Sequence, residues 1–127
     1  MGAKILVVDD QRGVRKLLEE LFRRDGYEVS LAADGLESVD MVKNFMPDVV
    51  LMDMKMPNMN GLEASREIFK IKPDLPIIMM TAYGEMEVVH KALEIGVKKY
   101  ITKPFDVMEL RRLVKEILNG EESKLMK

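Results

Sequence analysis

Cysteine is absent from the 127-residue sequence, which excludes disulfide bonds, thiolate metal sites and cysteine nucleophiles and is compatible with a reducing cytoplasm. No apolar run approaches the roughly 20 residues that a membrane-spanning helix needs, so we expect no membrane association. Positive charge is not in excess either: 20 Lys and Arg stand against 22 Asp and Glu, and a net charge of −2 argues against direct binding of nucleic acid. We therefore expect a cytoplasmic protein.

The length of the chain predicts a single domain. A sequence of 127 residues suits one domain and leaves no room for two. We expect residues 1–120 to form this domain and residues 121–127 to be a polar, frayed tail, with no DNA-binding output within the chain. The one histidine, His90, falls on the solvent side of a helical stretch, where a surface role is expected.

Five short, strand-like runs alternate with five stretches in which apolar residues recur at helical spacing. The first, third and fourth runs are apolar throughout, as expected of central strands that are buried on both faces. The alternation predicts an α/β fold, a doubly wound five-stranded parallel sheet covered by five helices. The runs occupy residues 5–8, 27–32, 49–52, 77–80 and 99–102.

The last predicted helix has the clearest start signal. Asp106 is placed to cap the helix, and Glu109 three residues later is placed to return the hydrogen bond, which predicts a capping box. Phe105 and Leu110 have the spacing of a hydrophobic staple. Gly120 is expected to end the helix.

Polar residues directly follow four of the strand-like runs. They are Asp9 and Asp10, Asp53, Thr81 and Lys103. In parallel sheets these carboxyl ends meet at one edge, where ligands bind. Three carboxylates without histidine or thiolate form a hard oxygen site that suits Mg²⁺, for which Mn²⁺ or Ca²⁺ can substitute. Lys103 and Thr81 can hold phosphoryl oxygens, and Asp53 can attack phosphorus to form an acyl phosphate.

Four motifs together resemble the response-regulator receiver domain of two-component signalling, and the resemblance extends over residues 4–118. They read V-V-D-D, L-M-D-M-K-M-P-N-M-N-G, M-M-T-A and Y-I-T-K-P-F. The subtype most similar to this chain is the stand-alone phosphorelay regulator of sporulating bacteria. The resemblance implies a flavodoxin-like strand order of 2-1-3-4-5, a monomer, and phosphoryl transfer to Asp53 from a sensor histidine kinase or a histidine phosphotransferase.

The resemblance also implies a role for each residue around the nucleophile. Asp10 and Asp53 would ligate Mg²⁺ directly, Asp9 would act largely through water, and the backbone carbonyl of Lys55 would complete the protein ligands. The chain would catalyse its own phosphorylation and a slow self-dephosphorylation without being a turnover enzyme. Lys55 and Tyr83, which flank the nucleophile, are bulky enough to shield the phosphoryl group from water.

Further positions match the family's switch and docking residues. Thr81 and Tyr100 would be the switch pair, and the peptide bond before Pro104 is commonly cis in this family. Gln11 and Arg12, at the start of the first helix, lie at the edge where the family's phosphorelay regulator docks the helical bundle that carries the histidine.

Three other functions suit parts of the pattern. A phosphatase with an aspartate nucleophile carries D-x-D, whereas Lys55 stands two residues after Asp53. A flavodoxin-like FMN carrier needs a Gly-, Ser- or Thr-rich phosphate loop after the first strand, where this chain has D-D-Q-R-G. A receiver fold used only for docking usually lacks an active residue, and none is missing here. The sequence therefore favours a phosphoryl acceptor.

Overall fold

The computed structural model describes residues 2–82 and 84–120, so the predicted tail 121–127 and Tyr83 lie outside the described residues. Strands and helices alternate along the whole described chain, as predicted. The elements are β1 Lys4–Val8, α1 Arg12–Arg24, β2 Glu28–Ala32, α2 Gly35–Phe45, β3 Val49–Asp53, α3 Gly61–Ile71, β4 Ile77–Ala82, α4 Met86–Ile95, β5 Lys99–Lys103 and α5 Val107–Asn119.

The strands form one parallel sheet in the order β2-β1-β3-β4-β5. The predicted fold class and strand order are therefore confirmed. Val8 at the end of β1 lies opposite Ala32 and Met52, and Thr81 near the end of β4 lies opposite Thr102. Because the strands end in register, whatever follows them is delivered to one edge of the sheet.

Two apolar layers explain why the central strands lack an alternating polar pattern. One layer packs residues such as Leu6 on β1 and Met52 on β3 against Val42, Ala64 and Ala92 of α2, α3 and α4. Successive side chains of a strand point to opposite faces, so the neighbouring strand residues enter the second layer. There α1 and α5 contribute the buried residues Leu18, Phe22, Leu110 and Val114.

Side chains cap several helices, although not always as predicted. Asp106 does cap α5, but its carboxylate accepts from Met108 N at 2.8 Å rather than from Glu109 N, and α5 has no capping box with Glu109, so that prediction is wrong. A carboxylate at this position can reach the amide of either the second or the third helical residue, and the local backbone decides between them. The reciprocal capping box lies at α3, between Asn60 and Glu63.

The peptide bond between Lys103 and Pro104 is cis, as expected. Within residues 2–82 and 84–120, no helix combines the length and the apolar character required to cross a bilayer.

Candidate functional site

The carboxyl edge of the sheet brings the predicted site residues together. Asp53 and Lys103 are the last residues of β3 and β5, Thr81 is the penultimate residue of β4, and Asp9 follows β1 directly. Asp9, Asp53 and Thr81 are buried, whereas Asp10 is exposed. The chain thus places polar groups at the end of an apolar sheet, where they are largely shielded from water.

The three carboxylates form a cluster of oxygen donors around one ammonium group. One oxygen each of Asp9, Asp10 and Asp53 can be chosen so that all three lie within 4.8 Å of one another. The Nζ atom of Lys103 lies 2.6 Å from Asp9 Oδ2 and 3.3 Å from Asp53 Oδ1. One ammonium cannot balance three carboxylates, so the site keeps an excess of negative charge that a divalent cation would offset.

The ionisation of Asp53 reflects this excess of negative charge. Burial and the neighbouring charges of Asp9 and Asp10 raise the pKa of Asp53 to about 6, although Lys103 opposes the shift. Burial alone would lower the pKa of Lys103, but its hydrogen bond to Asp9 and the charges of both buried carboxylates raise it above its ordinary value. The lysine therefore stays charged, and the carboxyl group of Asp53 stays protonated to a higher pH than that of an ordinary aspartate.

The donor set fits a hard cation. Asp9 Oδ1 accepts from Gln11 N at 2.9 Å and Oδ2 accepts from Lys103, so both of its oxygens already have protein partners. Asp10 and Asp53 face an open pocket of about 270 Å³ with room for water. Oxygen donors beside a solvated pocket suit Mg²⁺, which keeps several of its waters. The pocket is lined by Asp10, Gln11, Asp53, Lys55, Ala82, Glu85 and Lys103.

The loop after β3 approaches the nucleophile so closely that only glycine fits at one position. A Cβ atom on Gly61 would lie 2.4 Å from the carbonyl oxygen of Asp53. Gly61 N donates to Met54 O at 2.8 Å, and the Asn60–Glu63 capping box fixes the first turn of α3 beside it. The sequence analysis missed Gly61, although N-G before a helical stretch was a signal for it.

Glu85 is a second residue that the sequence analysis missed. Its Oε1 atom accepts from Thr81 Oγ1 at 3.0 Å and from Ala82 N at 2.8 Å. Its Oε2 atom lies 3.5 Å from Lys55 Nζ. Burial alone would raise the pKa of Glu85, but the hydrogen bonds from Ala82 and Thr81 and the charge of Lys55 hold it below its ordinary value. Glu85 is therefore a carboxylate in the same pocket as Asp53.

A sequence model of the response regulator receiver domain matches residues 5–115. The chain belongs to this family. It is 44% identical to Sporulation initiation phosphotransferase F of Bacillus subtilis over 118 residues, which are 93% of this chain and 95% of that protein. It is 42% identical to Chemotaxis protein CheY of Thermotoga maritima over 106 residues, which are 83% of this chain and 88% of that one.

A solved structure agrees with the strand order and the family. The CheY-like receiver domain from Methanospirillum hungatei superimposes with a TM-score of 0.91 at 31% identity, covering 98% of this chain and 99% of that one. Receiver domains accept a phosphoryl group on an aspartate and relay it, and they interact with histidine kinases and phosphotransferases. This is the general function of the present receiver domain.

The structure places the remaining predicted residues of the receiver domain as follows. Tyr100 lies on β5 with 38% of its surface exposed. Gln11 is the N-cap residue of α1 and Arg12 its first residue, and both are exposed. The side chain of Lys55 is 80% exposed, and His90 lies on the solvent side of α4, as expected.

An apolar groove of about 480 Å³ adjoins the acidic pocket of the receiver domain. Gln11 and Lys103 line both cavities, so the groove and the pocket are neighbours. The side chain of Leu17 on α1 contributes apolar surface there and is 51% exposed. The groove is lined by Gln11, Val14, Leu17, Lys103, Pro104, Phe105 and Val107.

Proposed function

We propose that this receiver domain accepts a phosphoryl group from a phosphohistidine onto Asp53 and passes the signal on by phosphotransfer or by protein contact. The observation that carries the proposal is the convergence of Lys103 and the carboxylates of Asp9, Asp10 and Asp53 at one edge of the sheet. Asp53 alone of the three is both the last residue of a central strand and in contact with Lys103 at the pocket.

The proposed reaction requires little covalent chemistry from the protein. An ionised oxygen of Asp53 attacks phosphorus, the new O–P bond forms as the N–P bond of the phosphohistidine breaks, and the imidazole nitrogen leaves with the electron pair. The ammonium of Lys103 stabilises the charge on a phosphoryl oxygen, and the hydroxyl of Thr81 donates a hydrogen bond to another. Positioning and neutralisation of charge therefore supply most of the rate enhancement.

We propose Mg²⁺ as the cofactor, with Mn²⁺ or Ca²⁺ able to replace it. Asp10, Asp53 and the backbone carbonyl of Lys55 would hold the ion, and Asp9, whose oxygens are engaged by Gln11 and Lys103, would act through water. The bound ion would neutralise charge on the phosphoryl oxygens. With the ion bound, Asp53 would be ionised at neutral pH, because a nearby cation opposes the shift caused by burial.

We propose that the apolar groove receives the helix of the partner that carries the phosphohistidine. Any such histidine must reach Asp53, and the groove shares Gln11 and Lys103 with the pocket that contains this carboxylate. Half-exposed Leu17 supplies an apolar anchor in the groove, and exposed Gln11 and Arg12 at the start of α1 offer polar contacts to the partner. The partners would be a sensor histidine kinase and a histidine phosphotransferase.

The likeness to Sporulation initiation phosphotransferase F supports a place in a sporulation phosphorelay. In such a relay we propose a cytoplasmic monomer whose acyl phosphate hydrolyses slowly and which does not turn over substrate as an enzyme. Exposed Lys55 stands beside the nucleophile and, with Tyr83, would limit the access of water.

Incubation with phosphoramidate, followed by intact mass measurement, tests the proposed function. We expect the wild type to gain one phosphoryl group with Mg²⁺, no gain with a chelator, and none in Asp53→Asn. Gain of the group at another residue, or rapid turnover of the donor as by a phosphatase, would contradict the proposal. Leu17→Asn should slow transfer from a histidine kinase but not from phosphoramidate, with Leu93→Asn on α4 as the matched control.

A further inference from the structure

Thr81 has one hydroxyl proton, and of its two acceptors in this structure Glu85 Oε1 is nearer than the carbonyl oxygen of Ala82, which lies 3.4 Å away. The distance from Thr81 Oγ1 to Glu85 Oε1 is 3.0 Å, and the same oxygen accepts from Ala82 N at 2.8 Å. A hydroxyl that donates to Glu85 cannot donate fully to a phosphoryl oxygen on Asp53. Glu85 and a phosphoryl group on Asp53 therefore compete for the hydroxyl of Thr81.

Electrostatic repulsion between Glu85 and a phosphoryl group on Asp53 adds to this competition. Glu85 lines the same pocket as Asp53, and its side chain is only 15% exposed. A phosphoryl group on Asp53 would add negative charge to a partly water-shielded site that already contains this carboxylate. Glu85 pairs with the ammonium of Lys55 at 3.5 Å, and because Lys55 is 80% exposed the pair contributes little.

The position of Glu85 connects the pocket to a helix. Glu85 is the N-cap residue of α4, yet its side chain makes no capping bond to that helix and reaches back to β4 instead. A rotation of the Glu85 side chain breaks both contacts, and it takes place at the residue from which α4 begins. The contact therefore lies between the pocket that contains Asp53 and the N-terminus of α4.

We propose that Glu85 is a positioning residue that stabilises the unphosphorylated state by holding Thr81 and Ala82, and that phosphorylation of Asp53 displaces its side chain from both. This inference rests on the proposed function. Glu85 opposes the phosphorylated state both by occupying the Thr81 hydroxyl and by its charge, so removing it favours that state.

Three variants separate these effects. Glu85→Ala removes the acceptor and the charge, and Glu85→Gln keeps an oxygen acceptor without the charge. Glu87→Gln makes the same change of charge in the first turn of α4, at an exposed residue outside the pocket, and is the control. Thermal melting establishes first that each variant is folded.

Two measurements test the inference. In the unphosphorylated protein, amide exchange at Ala82 should accelerate by about 5-fold or more in Glu85→Ala and stay unchanged in Glu87→Gln. With Mg²⁺, beryllofluoride, a phosphoryl analogue that binds a carboxylate, should bind Glu85→Ala at least about 5-fold more tightly than the control. Glu85→Gln should lie between the two, because its amide retains the hydrogen bonds without the repulsion.

The outcomes distinguish this inference from the proposed function. If the wild type binds beryllofluoride through Asp53 but folded Glu85→Ala binds it no more tightly than Glu87→Gln, then Glu85 serves the loop structure alone and the inference is wrong. If the wild type takes up neither beryllofluoride nor a phosphoryl group at Asp53, the proposed function fails and the inference with it.

Discussion

The ammonium of Lys103 lies 2.6 Å from the carboxylate of Asp9, although 94 residues separate the two along the chain. Asp9 is fully buried, and Lys103 is its cationic partner in the described structure. A buried carboxylate that loses such a partner keeps its desolvation cost without the compensating attraction. This ion pair therefore connects the end of β1 to the end of β5, and we expect the stability of the fold to depend on it.

Replacement of the lysine tests this dependence. Lys103→Met keeps most of the apolar stem but leaves Asp9 uncompensated, so we expect a loss of about 3 kcal/mol in the free energy of unfolding without metal. Lys70→Met is the control, because Lys70 forms an exposed pair with Glu67 and should cost less than about 1 kcal/mol. Urea unfolding measures the free energy of unfolding of both variants. Equal losses would show that the buried ion pair stabilises the protein no more than the exposed one.

The raised pKa of Asp53 predicts how stability depends on pH. Because the pKa rises from 3.8 to about 6 on folding, the carboxyl group favours the folded state fully below about pH 4, and this contribution is lost as the pH increases through 6. In a chelator, Asp53→Asn should therefore be more stable than the wild type by about 3 kcal/mol above pH 7. The two unfolding free energies should converge below about pH 4; parallel curves across this range would argue against the shift.

Gly61 allows the loop to approach the nucleophile, so an added methyl group there should be costly. Gly61→Ala brings Cβ to within 2.4 Å of Asp53 O and must displace the backbone that carries the nucleophile. We expect a loss of about 1–3 kcal/mol and slower phosphorylation by phosphoramidate. Gly13→Ala is the matched control, because nothing lies within 4 Å of its Cβ position and alanine favours the helix α1. Unchanged melting and kinetics in Gly61→Ala would refute the close approach.

The lifetime of the acyl phosphate tests the proposed shield. Replacing Lys55 or Tyr83 with alanine should accelerate loss of the phosphoryl group, since we propose that both side chains shield it from water. The decay is followed by intact mass after removal of the donor. Lys91→Ala, on the neighbouring helix α4, provides a control of equal charge change. If both variants decay at the wild-type rate, the side chains do not control hydrolysis.

The sequence predicted the elements that hydrophobic pattern controls. The apolar central runs and the helical periodicity determined the sheet, and a parallel sheet with ends in register then placed Asp9, Asp53 and Lys103 together. The strand order itself required the family resemblance, because periodicity does not distinguish one parallel order from another.

Interactions that depend on loop geometry were beyond the sequence analysis. The bond from Thr81 to Glu85 exists because the turn after β4 brings a residue four positions later back to the strand end. Arg15 on α1 donates to the backbone oxygen of Asp9 at 2.6 Å, a contact that its helical position did not reveal. At α5, the choice of Met108 over Glu109 as the capping partner likewise follows from the local backbone.

Titration with Mg²⁺, monitored by amide NMR, tests the central claim most directly. We expect saturable shifts at Asp9, Asp10, Asp53 and Lys55 in the wild type, with binding at least about 10-fold weaker in Asp10→Asn, whose oxygen donor is uncharged. Glu63→Gln, an acidic residue outside the pocket, should bind like the wild type. Shifts that do not saturate, or that are equally strong in Asp10→Asn, would contradict a metal site at this edge of the sheet.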